Sequence, residues 1–127
     1  MVTTRHLMKN DLARVPCRAS AFEAAQMMRE RRIGSVFVEQ HGRIVGIVTE
    51  ADIVRKVVAD CLYPKHMPVQ DVMSSPVIGI DVARPITDAA DLMDRNQTRH
   101  LAVMRSGTIV GILSVRDLLR SVAIDEF

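Results

Sequence analysis

Aromatic side chains are nearly missing from this chain: its 127 residues include no Trp, one Tyr and three Phe. Proteins that grip single nucleic-acid strands stack bases on aromatic platforms inside a basic groove. Neither part is on offer, because 17 Lys and Arg face 15 Asp and Glu, a net charge of +2. That balance argues against nucleic acid as a partner. Only two cysteines occur, Cys17 and Cys61, far apart in sequence, which suits a reduced compartment better than a disulfide framework. His6, His41, His66 and His100 keep no ligand spacing with one another or with the cysteines, so no metal site is expected. No apolar run approaches the roughly 20 residues of a membrane span. The opening MVTTRHLMKNDLARV has no apolar signal region either. A cytoplasmic protein without membrane contact is the expectation.

What is abundant is aliphatic. Hydrophobic residues make up 48% of the chain and eight are Met, so the core must be built from Val, Ile, Leu, Ala and Met. The length fits one compact domain or two small halves.

The two halves are visible as a repeat. Ile44-Val45-Gly46-Ile47 recurs as Ile109-Val110-Gly111-Ile112, 65 positions later. In the same register Met8 falls on Met73, Ala24-Ala25 on Ala89-Ala90, Met28 on Met93, Gly42 on Gly107, and Asp52 on Asp117. A register held without a gap over that distance marks a tandem duplication.

Each copy reads as β-α-β-β-α. In the first, Leu12 to Val15 is a short strand. Ser20 with Glu23 forms a capping-box signature, followed by a helix that Gly34 should end in a left-handed cap. Ser35 to Val38 and Arg43 to Val48 read as a hairpin around His41-Gly42. A second helix should start at Thr49 and run to about Asp60. In the second copy Val77 to Ile80 leads, Pro85 opens a helix to about Arg95, His100 to Met104 and Thr108 to Leu113 form the hairpin around Ser106-Gly107, and Val115 to Ala123 is the last helix. The boundaries are 8–60 for the first motif, 61–72 for a linker and lead-in turn, and 73–123 for the second. Units of about fifty residues bury a low fraction of their surface and are marginal for independent stability. A shared core is therefore expected, with Val36-Phe37-Val38 and Leu101-Ala102-Val103 at the shared face.

One element carries candidate chemistry: Thr49-x-x-Asp52, repeated as Ser114-x-x-Asp117. Each hydroxyl stands where a strand gives way to a helix, so both can be plain N-caps with a helpful acid in the first turn. The same place offers free N–H groups and a positive helix end to a phosphate. A carboxylate there can also accept from both hydroxyls of a ribose, as in dinucleotide folds. The two roles are compatible.

Both copies resemble the cystathionine-β-synthase (CBS) motif, and the pair resembles a Bateman module. The match rests on Ile33-Gly34-Ser35-Val36-Phe37-Val38, Gly42 through Thr49 and Asp52. In the second copy it rests on Thr98-Arg99-His100-Leu101-Ala102-Val103, Gly107 through Ser114 and Asp117. The resemblance implies an α/β (α+β) fold of two tandem β-α-β-β-α motifs packed through their sheets with pseudo-twofold symmetry. It implies a non-catalytic regulatory module that takes an adenosine-containing ligand (AMP, ADP, ATP, NAD or S-adenosylmethionine) in the cleft between the motifs and signals to a partner protein. Asp52 and Asp117 would hold ribose. Thr49, Ser114, Arg99, His100 and Arg116 would meet phosphate. Val15 with Ile47, and Ile80 with Ile112, would sandwich adenine. Homodimerisation is also implied. Arg99-His100 has no basic counterpart at Gly34-Ser35, and Ala51 stands where Arg116 is in the second copy, so the second site should be the better phosphate site. The competing reading is a dimerisation module without nucleotide, in which the motif only caps helices. The glycine pairs Gly42/Gly46 and Gly107/Gly111 read as turn chemistry, and Cys17 and Cys61 as small buried apolar residues.

Overall fold

The computed structural model describes residues 2–125. Its contacts divide the chain into two compact units, one formed by Ala13–Val77 and one by Ile78 onward together with the N-terminal arm through Leu12.

In the unit Ala13–Val77, the strands are β1 (Arg14–Pro16), β2 (Ser35–Gln40) and β3 (Arg43–Thr49). They form a sheet in that order, β1 parallel to β2 and β2 antiparallel to β3. In the other unit β4 (Gly79–Asp81), β5 (His100–Arg105) and β6 (Thr108–Ser114) repeat the arrangement. Helix α1 (Thr4–Leu7) lies in the arm, α2 (Ala21–Arg31) and α3 (Glu50–Ile53) in the first motif, and α4 (Ile86–Arg95) and α5 (Val115–Asp125) in the second. The chain is thus a mixed α and β fold made twice.

Each unit has its own aliphatic core. Val15, Ala24, Met28, Val36, Val38, Val48 and Val57 cluster in one, and Ile80, Ala89, Met93, Leu101, Val103 and Leu113 in the other. Strand alternation decides which hairpin residues enter it. Val36 and Val38 turn into their own unit's core, as do Leu101 and Val103. The expectation that these valines and Leu101 lie at a shared face is corrected by that register.

Both hairpins close through two residues of positive φ, His41 (51°) with Gly42 (77°) and Ser106 (50°) with Gly107 (80°). That is the two-residue turn whose twist matches the flanking strands. The second glycine of each pair has a different task. At Gly46 a Cβ would lie 3.0 Å from the Ser74 carbonyl oxygen, and at Gly111 one would lie 2.8 Å from that of Lys9. A passing backbone segment, and not turn chemistry, requires glycine there.

Those passing segments exchange places between the repeats. Ser74 pairs with Ile47 through N–H to O distances of 2.8 and 3.0 Å, and Lys9 pairs with Ile112 through two of 2.9 Å. Lys9 and Ser74 are equivalent in the repeat, as are Ile47 and Ile112. The arm before each motif therefore edges the sheet of the other motif. The expected linker 61–72 is accordingly no tether: it holds short 3-10 turns at Pro64–His66 and Val69–Asp71. Val69 and Val72 are fully buried in the first core.

Helix ends differ from the sequence reading in one systematic way. Arg32 (φ 54°) and Gln97 (φ 53°), equivalent positions, take the left-handed conformation after α2 and α4. Ile33 and Thr98 then donate back to the Met28 and Met93 carbonyls at 3.0 Å each, a six-to-one closure. Gly34 is not the cap; its carbonyl accepts from the Glu50 N–H. Ile33, the residue after the turn, packs partly buried against the first core. The first motif's last helix also departs from its copy, since α3 continues as a π segment, Val54–Val58. Cys17 packs against the core, whereas Cys61 is exposed, so the small-apolar role holds for Cys17 alone.

Candidate functional site

The hydroxyl-x-x-Asp elements sit at the ends of β3 and β6. In the first, Thr49 and Asp52 form a closed capping box. The Thr49 N–H and Oγ1 donate to Asp52 Oδ2 at 2.9 and 3.2 Å, and the Asp52 N–H donates back to Thr49 Oγ1 at 3.2 Å. The second is built the same way: the Ser114 N–H and Oγ donate to Asp117 Oδ2 at 2.8 and 3.0 Å, with the return bond at 3.4 Å. Reciprocal capping of this kind satisfies helix-start donors that would otherwise be buried unpaired. Both carboxylates are buried, Asp52 at 7% exposure and Asp117 at 2%.

The other carboxylate oxygens separate the copies. Asp52 Oδ1 accepts from Ser74 Oγ and Lys56 Nζ, each at 3.0 Å, and Lys56 Nζ also donates to the Val72 carbonyl at 3.0 Å. Asp117 Oδ1 meets the Arg120 guanidinium at 3.0 Å. Sequence reasoning missed Lys56, Arg120 and Ser74. The helical spacings i+4 and i+3 from the aspartates could have revealed the first two. Ser74 had no local signal, because an arm distant in sequence delivers it.

Arg99 and His100 do come to the second element. His100 is paired directly opposite Ser114 across β5 and β6, and the Arg99 carbonyl accepts from the Val115 N–H at 3.0 Å, the start of α5. Arg99 and Arg116 are exposed and His100 is half-buried. At the equivalent place Ser35 is paired with Thr49, and the residues there, Gly34-Ser35, carry no charge.

The apolar pairs are not brought together. Val15 is in register with Val38, on the core face of its sheet, while Ile47 is in register with Phe37, on the opposite face. Ile80 and Ile112 are divided in the same way, through Val103 and Ala102. A sheet therefore lies between the members of each proposed adenine sandwich. Val15 and Ile80 are core residues, which corrects that assignment and leaves Ile47 and Ile112 on the face away from the core.

A three-stranded unit made twice, with a capped acid at the end of each return strand, defines a tandem-repeat class of α and β protein. The CBS domain profile matches residues 5–59 and 69–124, and the chain belongs to the CBS domain family. An uncharacterized 17.7 kDa protein of Acidianus ambivalens is 41% identical over 101 residues, covering 78% of this chain and 60% of its own length. A putative signal-transduction protein with CBS domains from Burkholderia ambifaria superposes with a TM-score of 0.89 at 30% identity, covering 93% of this chain and 87% of that one. A hexameric CBS-CP12 protein from bloom-forming cyanobacteria superposes with a TM-score of 0.89 at 28% identity, covering 99% of this chain and 74% of that one. The chain thus spans about six-tenths of the first relative's length, and 53% of that of a Methanopyrus kandleri relative. CBS-domain proteins of this type are regulatory or signalling modules and generally non-catalytic. Among the described residues, no helix is long and apolar enough to cross a membrane.

Proposed function

We propose that this chain is a ligand-sensing regulatory module that binds an adenosine-containing molecule, with AMP, ADP and ATP ahead of NAD and S-adenosylmethionine, and signals to a partner protein. The observation that carries it is the second element: Arg99-His100 is fastened by backbone hydrogen bonds beside Ser114 and the start of α5. A phosphate there would meet Arg99, His100, Arg116 and the Ser114 hydroxyl, Asp117 would face the ribose, and the base would lie on the Ile112 face of the sheet. Ligand binding then acts by population shift, limited to the ligand's differential affinity for the module's two arrangements. Self-association as a homodimer belongs to the same proposal and is supported by the hexameric relative.

A second reading has its own support. The closed boxes at Thr49/Asp52 and Ser114/Asp117 already explain those residues as caps, which is what an interaction module without nucleotide needs. A thermal-shift panel separates the two. A ligand at about 100 times its dissociation constant adds about 2.7 kcal/mol of stability, so at least one of the five compounds should raise the melting temperature by several degrees. A flat panel with an intact dimer would favour the interaction reading.

A further inference from the structure

The two aspartates are not equally available. A carboxylate offers about four acceptor positions. Asp52 has four donors on it: the Thr49 N–H and hydroxyl on Oδ2, and Ser74 and Lys56 on Oδ1. Neither Oδ1 donor is loosely held. Ser74 is fixed by its two backbone bonds to Ile47, and Lys56 is held by the Val72 carbonyl as well as by the acid. Among the described residues, Asp117 Oδ1 accepts from Arg120 alone, whose side chain is 56% exposed. The arm residue equivalent to Ser74 is Lys9, and no hydroxyl reaches Asp117 from it. The Lys56 side chain is itself 44% exposed, so what separates the copies is the number and anchoring of the donors. At Asp117 Oδ1 a ribose hydroxyl has one guanidinium to displace, which no backbone contact among the described residues holds in place. Displacing an anchored serine and a doubly bonded lysine is a larger task.

We infer that Ser74 and Lys56 lock the first motif's aspartate, whereas Arg120 is a removable latch on the second's, so that a ribose-bearing ligand is taken by the second motif only. The inference rests on the nucleotide reading above and adds which site is used and what sets it. Arg120, Ser74 and Lys56 act through the carboxylates and are positioning residues.

Calorimetric titration of the full chain with AMP tests it. One equivalent per chain is expected, with affinity falling about tenfold or more in Asp117→Asn and changing less than about twofold in Asp52→Asn. The Ser74→Ala/Lys56→Gln chain should take up a second equivalent. Should that pair of changes unfold the unit, Arg120→Gln serves instead: with the latch already open, AMP should bind about two- to fivefold more tightly. Two equal equivalents in the unmodified chain, loss of binding in Asp52→Asn with Asp117→Asn unaffected, or weaker binding in Arg120→Gln would overturn the lock and latch while leaving nucleotide binding intact. No binding of AMP by the unmodified chain would overturn the nucleotide reading and this inference with it.

Discussion

Leu101→Ala is expected to destabilise the chain by about 2–5 kcal/mol, a large share of the roughly 5–15 kcal/mol that holds a typical domain folded. Leu101 is fully buried among Ile80, Val103, Met93 and Leu113. The melting temperature should fall on the order of 10 °C, measured by scanning calorimetry. The equivalent Val36→Ala removes one carbon fewer and should cost less. Equal and small effects at both positions would mean that the cores collapse around cavities, contrary to close packing.

Asp117→Ala carries the second large effect, because it removes two things at once. The Ser114 N–H loses its acceptor at the start of α5 and Arg120 loses its counter-charge. Loss of the capping-box acid, a buried charged acceptor, costs about 2–3 kcal/mol. On the nucleotide reading the same change also weakens AMP binding by about tenfold or more, through the lost charge-assisted bond to ribose. Chemical denaturation gives the first quantity and calorimetric titration the second. A stability loss with unchanged affinity would assign Asp117 to capping alone.

Local chemistry was legible in the sequence wherever one residue type answers one backbone need. Gly42 and Gly107 marked the turns, Thr49 and Ser114 marked the helix starts, and the 65-residue register marked the duplication. The illegible parts are those decided by segments distant in the chain. Nothing near Gly46 announces that the Met73-Ser74 arm crosses it, and nothing near Asp52 announces Ser74. The left-handed residue fell at Arg32 and not at Gly34, and at Gln97 in the copy, so the closure is a property of the repeated backbone and not of a glycine. Val15 and Ile47 are both apolar and both on strands, yet face opposite ways, since only the register between β1, β2 and β3 assigns a face. At the site, the basic pair could be read from the sequence and its docking opposite Ser114 followed from the hairpin. The inequality between Asp52 and Asp117 depends on side chains delivered from helices and arms, and needed coordinates.

Site-resolved nuclear magnetic resonance with AMP addresses the central claim most directly. In uniformly ¹⁵N-labelled full chain, saturating AMP should shift the backbone amides of Arg99, His100 and Ser114 to Asp117, while those of Thr49 to Asp52 move far less. Unperturbed amides at the second element, with AMP in large excess, would contradict the account.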